Sequence, residues 1–249
     1  MFGLDAPTLA VVVVAFLAGG VVKGILGIGL PLVIVPSLAI VMPTPQAVAL
    51  MVAPTMVVNV WQAWQGGAVV ADARRFWPLM VPMVVATVIG AQFLTRIDPV
   101  SSARILGAIV ILFSAVQIFP LRLRIPDGSE RWAGPVAGLV SGIVGGVSNL
   151  FGPPVVMYVL ALGLDKERFV GTLGLLFAVG SAPLYLSLAA NGVLTADGML
   201  ASAAATVPAL AAVAVGQRLR AHISQLAFAR LLIATLFVMG INLMLKGLV

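Results

Sequence analysis

The stretch whose reading decides the fold is Gly24-Ile25-Leu26-Gly27-Ile28-Gly29-Leu30-Pro31, with Lys23 directly before it. It interrupts an apolar run that extends from about Thr8 to Met42. Three glycines and a proline within eight residues oppose a continuous helix, because glycine loses much backbone entropy on folding and proline has no amide hydrogen. In lipid, a broken backbone is tolerated only where it is buried in protein or lines a cavity. The chain carries a second version, Gly142-Ile143-Val144-Gly145-Gly146-Val147-Ser148-Asn149-Leu150-Phe151-Gly152-Pro153-Pro154. Two copies of a costly feature point to a site built between two halves.

The surrounding chain is suited to lipid. Its 249 residues are 61% hydrophobic and 9% charged, with a mean hydropathy of +1.17. A soluble domain carries roughly 25% charged residues, so this composition implies a polytopic membrane protein. No basic n-region precedes the first apolar run, which reads as a retained helix. The net charge of +6 does not imply nucleic acid, because the basic residues sit in short loops between apolar runs. With no cysteine and a single histidine, His222, the sequence has no disulfide, thiolate metal site, imidazole cluster or membrane-embedded Ser/His/Asp triad. No cofactor is implied.

Apolar runs cover 8–22 and 30–42 on either side of the first break, then 46–64, 77–94 and 99–119. The polar loop 120–131 reads as a linker. The order then repeats as 132–147, a break at 148–152, and runs over 153–164, 165–190, 198–216 and 225–245. Gly20, Gly24 and Gly27 align with Gly138, Gly142 and Gly145. Ala71-Asp72 aligns with Ala196-Asp197, Pro82 with Pro208, Gly90 with Gly216, and Ala103-Arg104 with Ala229-Arg230. The predicted fold is an all-α polytopic membrane protein with two repeats of about five hydrophobic segments, 1–119 and 132–249. Broken or re-entrant short helices open each repeat. The pieces on both sides of each break are about 13–16 residues, or roughly 20–24 Å of helix, against a hydrocarbon core of ~30 Å.

Loops 65–76, 120–131, 165–168 and 217–224 are basic, whereas 43–45 and 191–197 carry no Lys or Arg and 95–98 has only Arg96. Placing the basic loops in the cytoplasm makes every assignment alternate and puts matched loops on opposite sides. The repeats are then inverted, as in many secondary transporters.

Each break starts a short helix whose first amides are unpaired and whose dipole is positive, which favours an anion. Gly24, Gly27, Gly29, Gly145, Gly146 and Gly152 would allow close approach to backbone. Ser148 and Asn149 add neutral donors and Lys23 a positive charge, so two facing breaks would cage a small anion at mid-depth. The competing role for the glycines is close helix packing with a simple kink. For Lys23, a charge in the apolar run aligned with the neutral Ser141, substrate contact and snorkelling to an interface are both open. Thr55, Asn59 and Gln62 share a helical face, with Asn59 and Gln62 the pathway candidates; Thr172, Ser181 and Tyr185 lie on the matched helix. Arg104 is expected to pair with a neighbouring loop or snorkel, and Trp61 and Trp64 to anchor an interface. All eight acidic residues fall in expected loops or helix ends, leaving no buried carboxylate as a proton or sodium site.

The run Ala18-Gly19-Gly20-Val21-Val22-Lys23-Gly24-Ile25-Leu26-Gly27-Ile28-Gly29, followed by a proline-bearing apolar stretch, resembles the TauE/SafE family of sulfite exporters. Ala137-Gly138-Leu139-Val140-Ser141-Gly142-Ile143-Val144-Gly145-Gly146 is similar to that family's internal repeat, as is the Gly66-Gly67…Ala71-Asp72 segment. Ile28 and Leu30 stand where the family is usually richer in glycine. The resemblance implies export of sulfite or an organosulfonate such as sulfoacetate across the bacterial inner membrane by a multi-pass secondary transporter. Its partners would be a small anionic substrate and the lipid bilayer. A small-anion channel and an exporter of a non-sulfur organic anion are the alternatives. An intramembrane enzyme would lack a general acid, a base and metal ligands.

Overall fold

The computed structural model describes residues 5–27, 29–118 and 129–247. Ile28 of the first break and 120–128 of the expected linker lie outside them. The described residues form eleven helices and no strand: α1 Ala6–Leu26, α2 Leu30–Val41, α3 Thr44–Ala49, α4 Val52–Gln65, α5 Val69–Arg96, α6 Pro99–Ile118, α7 Glu130–Ser148, α8 Gly152–Ala161, α9 Lys166–Ala190, α10 Ala196–Leu219 and α11 Gln225–Met244. Six of them (α1, α5, α6, α9, α10 and α11) are long and apolar enough to cross a membrane.

Both breaks are present, but their flanks differ from expectation. Lys23 and Gly24 lie inside α1, which has 21 residues, and α7 has 19. Only the pieces after the breaks are short, α2 with 12 residues and α8 with 10. At 1.5 Å per residue these reach roughly 18 and 15 Å, well under the ~30 Å core. The expected helix 46–64 is split into α3 and α4, with a turn at Leu50 and Met51 ahead of Pro54. The expected loop 65–76 shrinks to a turn at 66–68, because α5 begins at Val69 and carries Asp72, Arg74 and Arg75 on its first turns. Pro78 and Pro82 sit within α5.

The chain divides into two compact units, each drawing helices from both sequence halves. One unit holds α1–α3, α6, α10 and α11; the other holds α4 from Thr55 onward, α5 and α7–α9. In the first unit α1 packs chiefly on α10 and α6 on α11. A Cβ at Gly20 would stand 2.6 Å from the Ala209 carbonyl, and one at Gly24 would collide with the Val213 carbonyl and lie 2.7 Å from the Gln217 nitrogen. In the second unit α5 packs chiefly on α7. There Gly138, Gly142 and Gly146 abut the carbonyls of Leu79, Met83 and Thr87, one helical turn at a time. Both pairs run parallel, backbone against backbone, as small residues allow in lipid.

The two pairs share a register that differs from the sequence alignment by one turn. Gly216 abuts the Val21 carbonyl and the Gly24 Cα, as Gly90 abuts the Ile143 carbonyl and the Gly146 Cα. This sets Gly20 with Gly142, Gly24 with Gly146, and Gly27 with Asn149. The cap geometry agrees, since the Gly27 amide donates to the Lys23 carbonyl and the Asn149 amide to the Gly145 carbonyl. In the packing Lys23 and Gly145 occupy like positions, whereas the sequence alignment sets Lys23 against Ser141. In a glycine-rich helix two registers one turn apart score alike, and only the packing separates them.

Two polar contacts hold the far end of α2. The Lys246 ammonium donates to the Ala39 and Ile40 carbonyls, which have no helical partner. Arg104, expected to pair with a loop, donates from Nε to the Lys246 carbonyl at 3.1 Å.

Gly24→Val is expected to lower the melting temperature in detergent far more than Gly27→Ala. The first drives a branched side chain into α10. The second meets no atom within 4 Å, and its penalty is confined to about 1–2 kcal/mol of left-handed strain. Equal losses in the two variants would contradict the packing described.

Candidate functional site

Each break is built from a left-handed residue, a two-residue gap and a proline-bearing helix start. At the first, Gly27 has φ +81° and Gly29 φ +105°. At the second, Asn149 takes the left-handed role with φ +63°, and it is the one non-glycine residue with positive φ among the described residues. Asparagine tolerates this region better than most residues but at a penalty glycine avoids. Its side chain explains the choice. Nδ2 lies 3.1 Å and Oδ1 3.3 Å from the Tyr185 hydroxyl on α9, so the phenol accepts from one end of the amide and donates to the other. Both residues are buried.

Further hydroxyls converge on the same phenol. Thr55 of α4 and Ser181 of α9 hydrogen-bond to the same phenol, and the Thr55 hydroxyl is fully buried there. The second break thus gathers neutral polar side chains, Asn149, Tyr185, Thr55 and Ser181.

Backbone donors are scarcer there. Pro153 and Pro154 have no amide hydrogen, so the first turn of α8 leaves Gly152 as its free amide, whereas α2 keeps Leu30 and Leu32 around Pro31. Ser148 is engaged locally: its hydroxyl donates to the Val144 carbonyl at 2.6 Å and accepts from the Leu150 amide at 3.1 Å. Gly145 makes room for the Phe151 ring, and Gly146 for α5.

At the first break, Lys23 is 5% exposed on the last turn of α1. Gly24 is taken up by α10, while a Cβ at Gly27 would meet open space. On α4, Asn59 is buried and Gln62 partly so; the Asn59 carbonyl and the Gln62 Cβ pack against Gly174 of α9. Neither break lies at the middle of its partner helix. Gly24 abuts Gln217, and α10 ends at Leu219; Gly146 abuts Ala91, and α5 ends at Arg96.

One charged group runs against expectation. Asp72, taken for a loop residue, is 3% exposed. Its Oδ1 accepts from Arg168 Nη2 at 3.0 Å, and its Oδ2 from the Thr172 hydroxyl at 2.7 Å. A buried carboxylate therefore exists, clasping α5 to α9. Arg168 and Thr172 stand four residues apart on one face of α9, and the repeated Ala-Asp pair was the sequence signal for this residue. Nearby, Arg75 of α5 makes a two-point pair with Glu130 of α7, at 3.0 and 3.2 Å. Along α5, Asp72 lies about 22 Å and Arg75 about 18 Å from Thr87, at 15 and 12 residues. Lys23 and Asp72 are the buried charged side chains among the described residues, and no metal-binding cluster of His, Cys, Asp or Glu is found among them.

A family model described as Sulfite exporter TauE/SafE matches residues 11–243. No curated protein and no solved structure matches the chain.

Tyr185→Phe removes the hydroxyl that both ends of the Asn149 amide address, and is expected to destabilise the protein by about 1–3 kcal/mol. Asp72→Asn and Arg168→Met should be non-additive in a double-mutant cycle of chemical unfolding. The interaction is expected at about 0.5–1 kcal/mol, towards the low end because Arg168 is partly exposed. A coupling of zero would show that the pair does not hold α5 to α9.

Proposed function

The chain belongs to the TauE/SafE family of sulfite exporters, and from that premise we propose that it carries a small sulfur oxyanion outward by alternating access, with the anion held at the helix breaks. The observation that carries this reading is the polar content of the breaks: a buried cation at one and buried, left-handed Asn149 at the other, in otherwise apolar hairpins. A sulfite or sulfonate head presents three acceptor oxygens. Asn149 Nδ2 and the Gly152 amide are donors of the matching kind at one break, and the Lys23 ammonium and the Leu30 amide at the other.

The matched packing of α1 on α10 and of α7 on α5 supports an internal repeat, and the alternation of basic loops supports its inversion. Alternating access follows from that symmetry, since each half offers the same hairpin to the other side. Driving such export requires no coupling ion. An inside-negative potential expels an anion with about 2.3 kcal/mol per unit charge per 100 mV. That fits Asp72, the buried carboxylate among the described residues, being already engaged by Arg168 and Thr172.

Purified protein in liposomes loaded with sulfite tests the proposal. Efflux is expected to accelerate when the interior is made negative, and to be stimulated further by sulfite outside, as a carrier requires and a channel does not. Lys23→Met is expected to slow it on the order of tenfold through loss of one charge-assisted contact. Efflux no faster than from protein-free liposomes would refute the proposal.

A further inference from the structure

We propose that one end of the unit holding α4, α5 and α7–α9 is a docking surface for anionic phospholipid. The guanidinium groups of Arg74 and Arg131 hold the headgroup beside exposed tryptophans, whatever the protein transports.

The chain has four tryptophans, and all four (Trp61, Trp64, Trp77 and Trp132) are 54–70% exposed. They gather at one end of this unit. Trp61 and Trp64 meet edge to face at 5.8 Å near the end of α4. Gly66, just beyond them, lies against Gly171 of α9, one turn from Arg168. Trp77 is on the third turn of α5 and Trp132 on the first turn of α7. These two helices run parallel, with Gly138 against the Leu79 carbonyl. Counting back from that contact, Arg74 lies five residues and Arg131 seven towards the helix starts, so the two are level to within about 3 Å. An indole ring in lipid settles at headgroup depth, which is where an arginine meets phosphate.

The charge at this end is sorted by pairing. Asp72 is taken by Arg168 and Glu130 by Arg75. Among the described residues Arg74 and Arg131, both exposed, enter no ion pair. The start of α9 carries Asp165 and Glu167 beside Lys166, so the cationic surface is confined to α5 and α7. A guanidinium binds phosphate through two parallel hydrogen bonds. Beneath each arginine runs an exposed apolar stripe, Trp77, Val81, Val85 and Ile89 on α5 and Trp132, Val136, Val140 and Ile143 on α7. Contacts between helices in lipid favour small residues, so these bulky stripes suit acyl chains better than a second copy of the chain. Arg96 marks the other end of α5, 22 residues or ~33 Å from Arg74, which matches a hydrocarbon core of ~30 Å. No tryptophan accompanies it, so the surface serves one leaflet. The alternation of basic loops makes that the cytoplasmic leaflet, whose anionic lipids attract such arginines.

Because every tryptophan lies on this surface, intrinsic fluorescence reports on it directly. The purified protein is placed in phosphatidylcholine vesicles in which a fixed fraction is either brominated phosphatidylglycerol or brominated phosphatidylcholine. Stronger quenching by the phosphatidylglycerol is expected, with a preference of about fivefold for each arginine engaged. It should collapse at about 1 M salt, where the Debye length is ~3 Å. Arg74→Gln/Arg131→Gln is expected to abolish the preference, and Arg96→Gln to retain it. Equal quenching of the wild type by the two lipids would overturn the proposal without recourse to any variant. So would a preference that survives in the double variant, or a lack of quenching by either lipid, as when a second copy covers the tryptophans.

Discussion

Close approach of two parallel helix pairs is the constraint on which the rest of the structure depends. Gly20 and Gly24 seat α1 on α10, and Gly138, Gly142 and Gly146 seat α7 on α5, with carbonyls standing where side chains would otherwise be. In lipid there is little hydrophobic gain in bringing helices together, so van der Waals contact and weak Cα–H···O bonds, of about 0.5–1 kcal/mol each, must supply it. The same glycines fix the axial position of each break against its partner helix. A side chain at Gly24 or Gly146 would displace Lys23 or Asn149 from its place as well as loosen the pair. Packing and site are thus not separable roles of the glycine motif; the first delivers the second.

The breaks share a left-handed closing residue, but the residue before the next helix is left-handed at Gly29 and right-handed at Phe151, and their chemistry differs. Each has a left-handed residue whose amide closes the preceding helix. One hairpin fills the adjoining turn with a buried ammonium, the other with Phe151 against a bare Gly145. Asn149 accepts left-handed strain that Gly27 avoids, and in return its amide organises Tyr185, with Thr55 and Ser181 at the same phenol. The charged pairs of Asp72 and Arg75 sit far down α5 and tie α5 to α9 and to α7.

Much of this was legible in the sequence. Glycine spacing, proline position and hydropathy located both breaks, most of the long helices and the family. The misplacements have physical causes. The charged residues Asp72, Arg74 and Arg75 after Gly66 and Gly67 were read as a loop, yet they lie on the first turns of α5. That error turned Asp72 into a loop residue and hid the buried clasp. Small residues recur every three or four positions along α1 and α7, so the sequence alignment sets Lys23 against Ser141, while the packing of the two helix pairs puts Lys23 and Gly145 at like positions. Ser148 and Asn149 were both taken as donors; the Ser148 hydroxyl is captured by the carbonyl four residues back, whereas the Asn149 amide reaches Tyr185.

The most direct measurement is the melting temperature of the purified protein through a sulfite titration, in the wild type and in a Lys23→Met/Asn149→Ala variant. A ligand bound only by the folded state stabilises it by about 2.7 kcal/mol at a hundredfold excess over its dissociation constant. The account predicts a rise that saturates with sulfite in the wild type and is absent from the double variant, provided that variant melts cooperatively in the absence of sulfite. An equal rise in both proteins would place the anion away from the two breaks and contradict the account.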